Sequence, residues 1–298
     1  MPSFRKRSVP RYPVLAVVGG RLGFGEDRNN RMVPSADRLH STGSPALSVE
    51  MSSQSEHVPV GEVGASIATR LAAVDWALVE AELNGAGWAS LGQVLTPAEC
   101  SSLRDTYGCP VFRSTISMQR HGFGRGEYKY FSYPLPAIVA GLRSQLYAHL
   151  AAPAKRWQDK LGIEGVIPDS HDAYLEMCKA AGQSRPTPLL LRYAQGDYNC
   201  LHQDLYGEVH FPFQVVILLS EPGCDFEGGE FVLTEQRPRV QSRAHVVPLK
   251  AGEAAVFAVR NRPALGTRGT YRVTLRHGVS AVLRGSRYAL GVILHDAA

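Results

Sequence analysis

The sequence predicts an α+β protein in which helices come first and a barrel or sandwich of short strands follows. Two observations carry this expectation. Apolar residues recur at helical spacing in four segments before residue 182, with short β-type runs and glycines over 111–133 between them, and after Pro188 the pattern turns to short β-type runs split by turn residues. Size fits both parts, since 298 residues can bury a large core as one big domain or two small ones.

Taken in order, residues 1–60 are rich in Pro, Ser, Gly, Arg and Asn and have no sustained hydrophobic period. They read as a disordered tail, or as upstream sequence translated from an early start with Met51 as the true one; the Arg-rich opening also permits a transit peptide. From Gly64 the character changes, and Ile67, Leu71, Val74, Leu78 and Leu83 predict one helix over 66–84, stopped by Gly85 and Gly87. Thr96-Pro97-Ala98-Glu99 is a capping box that opens a second helix through Tyr107. Residues 136–161 predict a long amphipathic helix, and residues 171–181 a short one.

Eight strands are expected after Pro188, over 189–193, 198–202, 213–219, 230–234, 244–248, 254–259, 271–279 and 287–295. Turn signals such as Gly196-Asp197 and Glu227-Gly228-Gly229 separate them. Even spacing of this kind suggests a barrel or a sandwich.

Composition excludes several classes. Apolar content of 44% and charged content of 20% are ordinary for a globular protein, and no run of eighteen apolar residues exists to span a membrane. Five cysteines without C-x-x-C spacing argue against a disulfide framework or a cysteine zinc site, and so for a reducing cytoplasm. The net charge of +5 hints at a polyanion, but residues 1–60 carry eight Lys/Arg against five Asp/Glu, leaving 24 against 22 elsewhere. The folded part is nearly neutral.

The chemistry is concentrated in four places: His202 and Asp204 in Leu201-His202-Gln203-Asp204, His277 far downstream, and Arg287 ten residues beyond it. Two imidazoles and one carboxylate on one face of a metal leave the opposite face open. That arrangement suits non-haem Fe(II), although three protein ligands plus water also suit zinc. Arg287 offers a planar fork of donors to a carboxylate.

Strand parity supports an inward site. His277 shares a face with Leu275, Val273 and Tyr271, while Arg287 shares one with Ala289, Gly291, Ile293 and His295. Small residues beside an inward Arg leave room for a small molecule, and an Arg with no acid on its own strand needs an anion from elsewhere. Spacing of i, i+2 places His202 and Asp204 together, and Tyr193 lies where a phenol could reach the same co-substrate. His210, His245 and His295 read as non-ligands, and Cys200 as a small core filler.

These blocks, namely Leu191-Arg192-Tyr193-Ala194-Gln195-Gly196, His202-Gln203-Asp204, His277-Gly278-Val279 and Arg287-Tyr288-Ala289-Leu290, resemble the Fe(II)/2-oxoglutarate dioxygenase superfamily. Within it the chain is similar to prokaryotic oxygenases grouped with the AlkB-type nucleic-acid demethylases. The resemblance covers roughly residues 64–298. It implies a double-stranded β-helix (a jelly-roll, cupin-like barrel) of eight strands at 187–298, with helical support and a lid at 64–185 packed against it. It also implies that His202, Asp204 and His277 bind Fe(II), that Arg287 holds the distal carboxylate of 2-oxoglutarate, and that Tyr193 assists. The implied reaction consumes 2-oxoglutarate and O₂, releases succinate and CO₂, and hydroxylates a substrate C–H bond; on an N-methyl group it would release formaldehyde.

Two positions depart from the AlkB pattern. Leu191 stands where those enzymes carry Asn two residues before the Tyr, and Ile293 where they carry a second Arg. Two substrate classes therefore stay open, alkylated nucleic-acid bases (DNA repair) and a protein side chain, amino acid or metabolite, with a non-catalytic metal-binding module beside them. Residues 120–131 (Arg120, His121, Phe123, Arg125, Tyr128, Lys129, Tyr130 and Phe131) combine basic and aromatic groups, as a nucleic-acid contact or as a solvated hairpin over the site. Gly122, Gly124 and Gly126 do not open a helix, so they suggest a lid and not a phosphate loop.

Overall fold

A computed structural model of the chain describes residues 67–298. The expectations for residues 1–60 lie outside the described residues. After helical turns at 67–72, the elements run α1 (Trp76–Ala86), β1 (Trp88–Gln93), α2 (Pro97–Asp105), β2 (Phe112–Ser117), β3 (Gly124–Arg125), β4 (Glu127–Phe131), α3 (Ala137–Leu161) and α4 (His171–Ala180). Ten strands follow: β5 (Leu189–Ala194), β6 (Tyr198–His202), β7 (Phe213–Leu218), β8 (Phe226–Gly228), β9 (Phe231–Gln236), β10 (Arg243–Val247), β11 (Glu253–Ala258), β12 (Asn261–Gly266), β13 (Gly269–Val279) and β14 (Val282–Ile293).

All pairings between these strands are antiparallel, and they form two sheets. The larger runs β1-β11-β7-β14-β5-β4-β2 with β8 on β14; the smaller runs β10-β9-β13-β6-β3 with β12 on β13. This is the double-stranded β-helix, mixed with helices as expected, but the sheets are open and do not close into a barrel. The count of eight strands after Pro188 becomes ten. β8 has only three residues, and β12 contains Pro263, so neither carried an alternating run long enough to see.

The helices explain themselves locally. The expected single helix over 66–84 is two pieces, because the Asp75 side chain accepts from the backbone N–H groups of Ala77 (3.1 Å) and Leu78 (3.0 Å) and starts α1 afresh. At α2 the capping box is complete: Thr96 Oγ1 accepts from Glu99 N at 3.2 Å, and Glu99 Oε2 from Thr96 N at 2.7 Å. Helix α3 lays Leu142, Leu146, Leu150 and Trp157 into the core, and the Trp157 indole meets Phe213 edge-on at 4.6 Å. All six residues of β7 are buried, so both faces of that strand are covered.

A buried ion pair fixes α3 to the end of β14. Arg143 donates to Asp296 at 2.7 Å and to the Ile293 carbonyl at 2.9 Å, and its Nη1 to the Tyr133 hydroxyl at 2.9 Å. Among the described residues, no helix is long and apolar enough to cross a membrane.

Candidate metal and co-substrate site

The register of β6 and β13 builds the site. His202, the last residue of β6, is paired directly with His277 on β13, and their rings lie 4.2 Å apart. Asp204, two residues past β6, is 3.3 Å from each imidazole: Oδ1 faces His202 Nε2 and Oδ2 faces His277 Nε2. These three side chains bring metal-binding atoms within 4.8 Å of one another. The pairing needs a glycine at Gly278, where a Cβ would stand 2.6 Å from the Asn199 carbonyl oxygen.

Surrounding groups orient the donors. His202 Nδ1 lies 2.8 Å from the Cys200 carbonyl, which places the proton there and leaves Nε2 as the lone-pair donor. The Tyr206 hydroxyl donates to Asp204 Oδ1 at 2.8 Å. Phe257 packs against His277 at 4.7 Å between ring centres. Burial acts to raise the Asp204 pKa, but the adjacent imidazoles of His202 and His277 outweigh it and hold the carboxyl well below the usual range. Burial is the largest cause that holds His277 down. An ionised carboxylate beside a neutral imidazole is the state a cation requires, so this donor set fits Fe(II).

A cavity of about 290 Å³ opens from the triad. Its far wall carries Arg287 on β14, paired across the strands with Tyr193 on β5. Arg287 is 2% exposed, and its guanidinium stands 5.6 Å from the Tyr193 ring centre and 5.9 Å from that of Phe226. Its Nε has no hydrogen-bond partner among the described residues, and no ion pair reaches it. Glu230 acts on it only at longer range, and a buried guanidinium without a direct acid partner is suited to an anionic ligand. Ala289 and Gly291 line the same cavity, as strand parity predicts.

All five expected site residues, His202, Asp204, His277, Arg287 and Tyr193, therefore border one cavity. His295 is buried and accepts from the Phe211 backbone N–H, and His245 lies at a different surface, so neither joins the triad. One expectation fails: Cys200 is exposed and is not a core filler. It lies in a bulged stretch, where Asn199 and His202 on β6 sit opposite Val279 and His277 on β13, three steps against two. The same bulge turns Asn199 into the cavity, which period-two reasoning misses. Tyr206 and Gln214 were missed as well; the spacing His202-x-Asp204-x-Tyr206 was the available signal for the first.

In the 120–131 stretch, Phe123 and Tyr128 line the cavity, while Lys129 is committed to the Tyr107 carbonyl (2.9 Å) and ring. Gly124 is a strand contact on β6, at φ 130° and with no room for a Cβ beside the Tyr198 carbonyl.

The fold and the triad define a 2-oxoglutarate-dependent oxygenase, an oxidoreductase that uses Fe(II), 2-oxoglutarate and O₂. Residues 126–297 match the Oxygenase-NA family, described as "oxygenase, catalysing oxidative methylation of damaged DNA", and the chain belongs to that family. Two uncharacterised proteins of Mycobacterium tuberculosis, from strains CDC 1551 and H37Rv, are each 50% identical over 168 residues, covering 56% of this chain and 72% of theirs. Among solved structures, a Pseudomonas putida prolyl-4-hydroxylase aligns at TM-score 0.44 and 15% identity, covering 75% of this chain and 99% of that one. A Burkholderia pseudomallei oxidoreductase of the 2OG-Fe(II) oxygenase family aligns at TM-score 0.43 and 17% identity, covering 75% and 92%.

Proposed function

We propose that the protein oxidises an alkylated base in nucleic acid, with residues 64–298 acting as one catalytic domain. His202, Asp204 and His277 would hold Fe(II), and Arg287, with Tyr193 beside it, would hold the distal carboxylate of 2-oxoglutarate. When bound, the metal would let O₂ act as the oxidant and 2-oxoglutarate as the two-electron reductant, one oxygen atom entering succinate with loss of CO₂ and the other hydroxylating a substrate C–H bond. Hydroxylation of an N-methyl group then releases formaldehyde and restores the base.

The observation that carries the reaction class is the shared cavity, lined both by three metal-binding side chains and by a buried Arg that makes no direct ion pair. The protein's own contribution is to orient the donors through Cys200 and Tyr206, to neutralise the co-substrate through Arg287, and to keep the site apolar with Phe231 and Phe257. The family description supports a nucleic-acid target, as do the cavity-lining, exposed Phe123 and the exposed Arg120 and Arg125 close to it in sequence.

The second reading, a hydroxylase of a protein side chain or small metabolite, draws on Leu191, an apolar cavity-lining residue where AlkB-type enzymes carry Asn. Formaldehyde release from oligodeoxynucleotides carrying one N-methylated base, set against a panel of peptides and amino acids, separates the two. Release from the oligonucleotides supports the base-oxidation reading; hydroxylation confined to the peptide or amino-acid panel refutes it.

A further inference from the structure

Two amides in the cavity, Asn199 and Gln214, carry an unpaired oxygen that the chemistry above does not use; Asn199 is tied to the Tyr193 hydroxyl at 3.4 Å, whereas Gln214 is not. Gln214 on β7 is 5% exposed and lines the cavity, yet its Oε1 has no hydrogen-bond partner among the described residues. An amide oxygen and nitrogen are interchangeable in assignment, but either orientation leaves a polar atom unpaired here. Burying such an atom is unfavourable, so an apolar side chain would suit a purely structural role better.

Its position separates it from the co-substrate. Gln214 is paired with Ile293 on β14, six residues along the strand from Arg287, a distance of about 20 Å. That backbone separation places Gln214 at the opposite end of the β14 cavity face from Arg287. On its other side Gln214 is paired with Phe257, whose ring packs against His277, so the amide stands on the metal side of the cavity. Between Arg287 and Gln214 the floor is Ala289 and Gly291, flanked by Leu191, Val216 and Tyr128.

We propose that Gln214 is a specificity-determining residue whose primary amide pairs with the hydrogen-bonding edge of the molecule being oxidised. This rests on the base-oxidation reading and deepens it. An apolar slot with an aromatic wall and one amide at its end fits a flat ring carrying a donor and an acceptor side by side. That is the shape and chemistry of a nucleobase edge, which a glutamine matches with its adjacent donor and acceptor.

The test compares wild type with Gln214→Met, which keeps length without polar atoms, and with Gln214→Glu, which keeps an acceptor but loses the donor. Each full-length enzyme, loaded with Fe(II), is assayed for formaldehyde release from an oligodeoxynucleotide carrying one N-methylated base, while KM for 2-oxoglutarate is measured alongside. The expected result is a rise of roughly 10- to 100-fold in KM for the oligonucleotide in both variants. The melting temperature of Gln214→Met should equal or exceed that of wild type, because an unpaired buried group has been removed. An unchanged oligonucleotide KM overturns the assignment alone. So does an equal rise in KM for 2-oxoglutarate, or a lowered melting temperature without a KM change. A wild type that releases no formaldehyde overturns the base-oxidation reading and this assignment together.

Discussion

Arg287 and Tyr193 face one another across β14 and β5, with the guanidinium 5.6 Å from the phenol ring centre and no acid paired to it. Burial pulls the Arg287 pKa down, and the charges of Tyr193 and of Glu230, which is not in ion-pair contact, offset only part of it. On the proposed function this guanidinium receives the distal carboxylate of 2-oxoglutarate. Arg287→Lys, which loses the planar fork, should weaken 2-oxoglutarate binding by roughly 10- to 100-fold, measured by titration of the Fe(II)-loaded protein. Arg287→Leu should abolish that binding yet raise the melting temperature of the ligand-free protein, since an uncompensated buried charge is gone.

Gly278 is where the backbones of β13 and β6 come closest to the triad. Gly278→Ala would set a Cβ 2.6 Å from the Asn199 carbonyl, which neither strand can yield without shifting. The expected cost is about 1–3 kcal/mol in urea unfolding. Because the shift separates His202 from His277, Fe(II) affinity should fall with it; wild-type affinity in the variant would show that the register tolerates the change.

The Arg143–Asp296 pair joins α3 to the segment after β14, and both side chains are almost fully buried. Arg143→Met leaves Asp296 buried without its cation and should cost about 3–5 kcal/mol. Adding Asp296→Asn should recover a large part of it. A double mutant as unstable as the sum of the singles contradicts a direct pairing.

Stability should also fall in mild acid through His171, which is buried with Nε2 2.9 Å from the Leu294 carbonyl. Burial, with Arg143 adding to it, lowers its pKa from 6.5 to about 4. The unfolded chain therefore takes up a proton that the folded chain refuses. The contribution is complete above pH 6.5, shrinks as pH drops, and is gone below about 4; at pH 5 the loss is about 2 kcal/mol. Melting temperatures from pH 7.5 to 4 check this, and His171→Gln should flatten the profile. His295, lowered to about 3 by burial and by His210, steepens the same slope.

The sequence carried His277 and Arg287 because each lies on a strand with a clear period-two pattern, so inward facing could be read from neighbours such as Leu275 and Ala289, and it carried His202 and Asp204 through their i, i+2 spacing. The complete capping box at Thr96 and Glu99 was equally legible. What failed was whatever depends on a partner strand. The bulge opposite Gly278 reverses the parity of β6, hiding Asn199 and exposing Cys200, and no feature of residues 198–202 alone signals it. Gln214 was invisible for a related reason: β7 is buried on both faces, so alternation says nothing about which side meets the cavity. Asp75 split the first helix because a local cap competed with a periodic apolar face and won.

The most direct measurement is an anaerobic absorption titration of the protein with Fe(II) and 2-oxoglutarate. A visible charge-transfer band that needs both additions, saturates at one equivalent of iron, and is lost in His277→Ala and in Arg287→Leu is the predicted result. Wild-type protein that gives no band, or a band that persists in His277→Ala, contradicts the assignment of His202, Asp204 and His277 as the iron site.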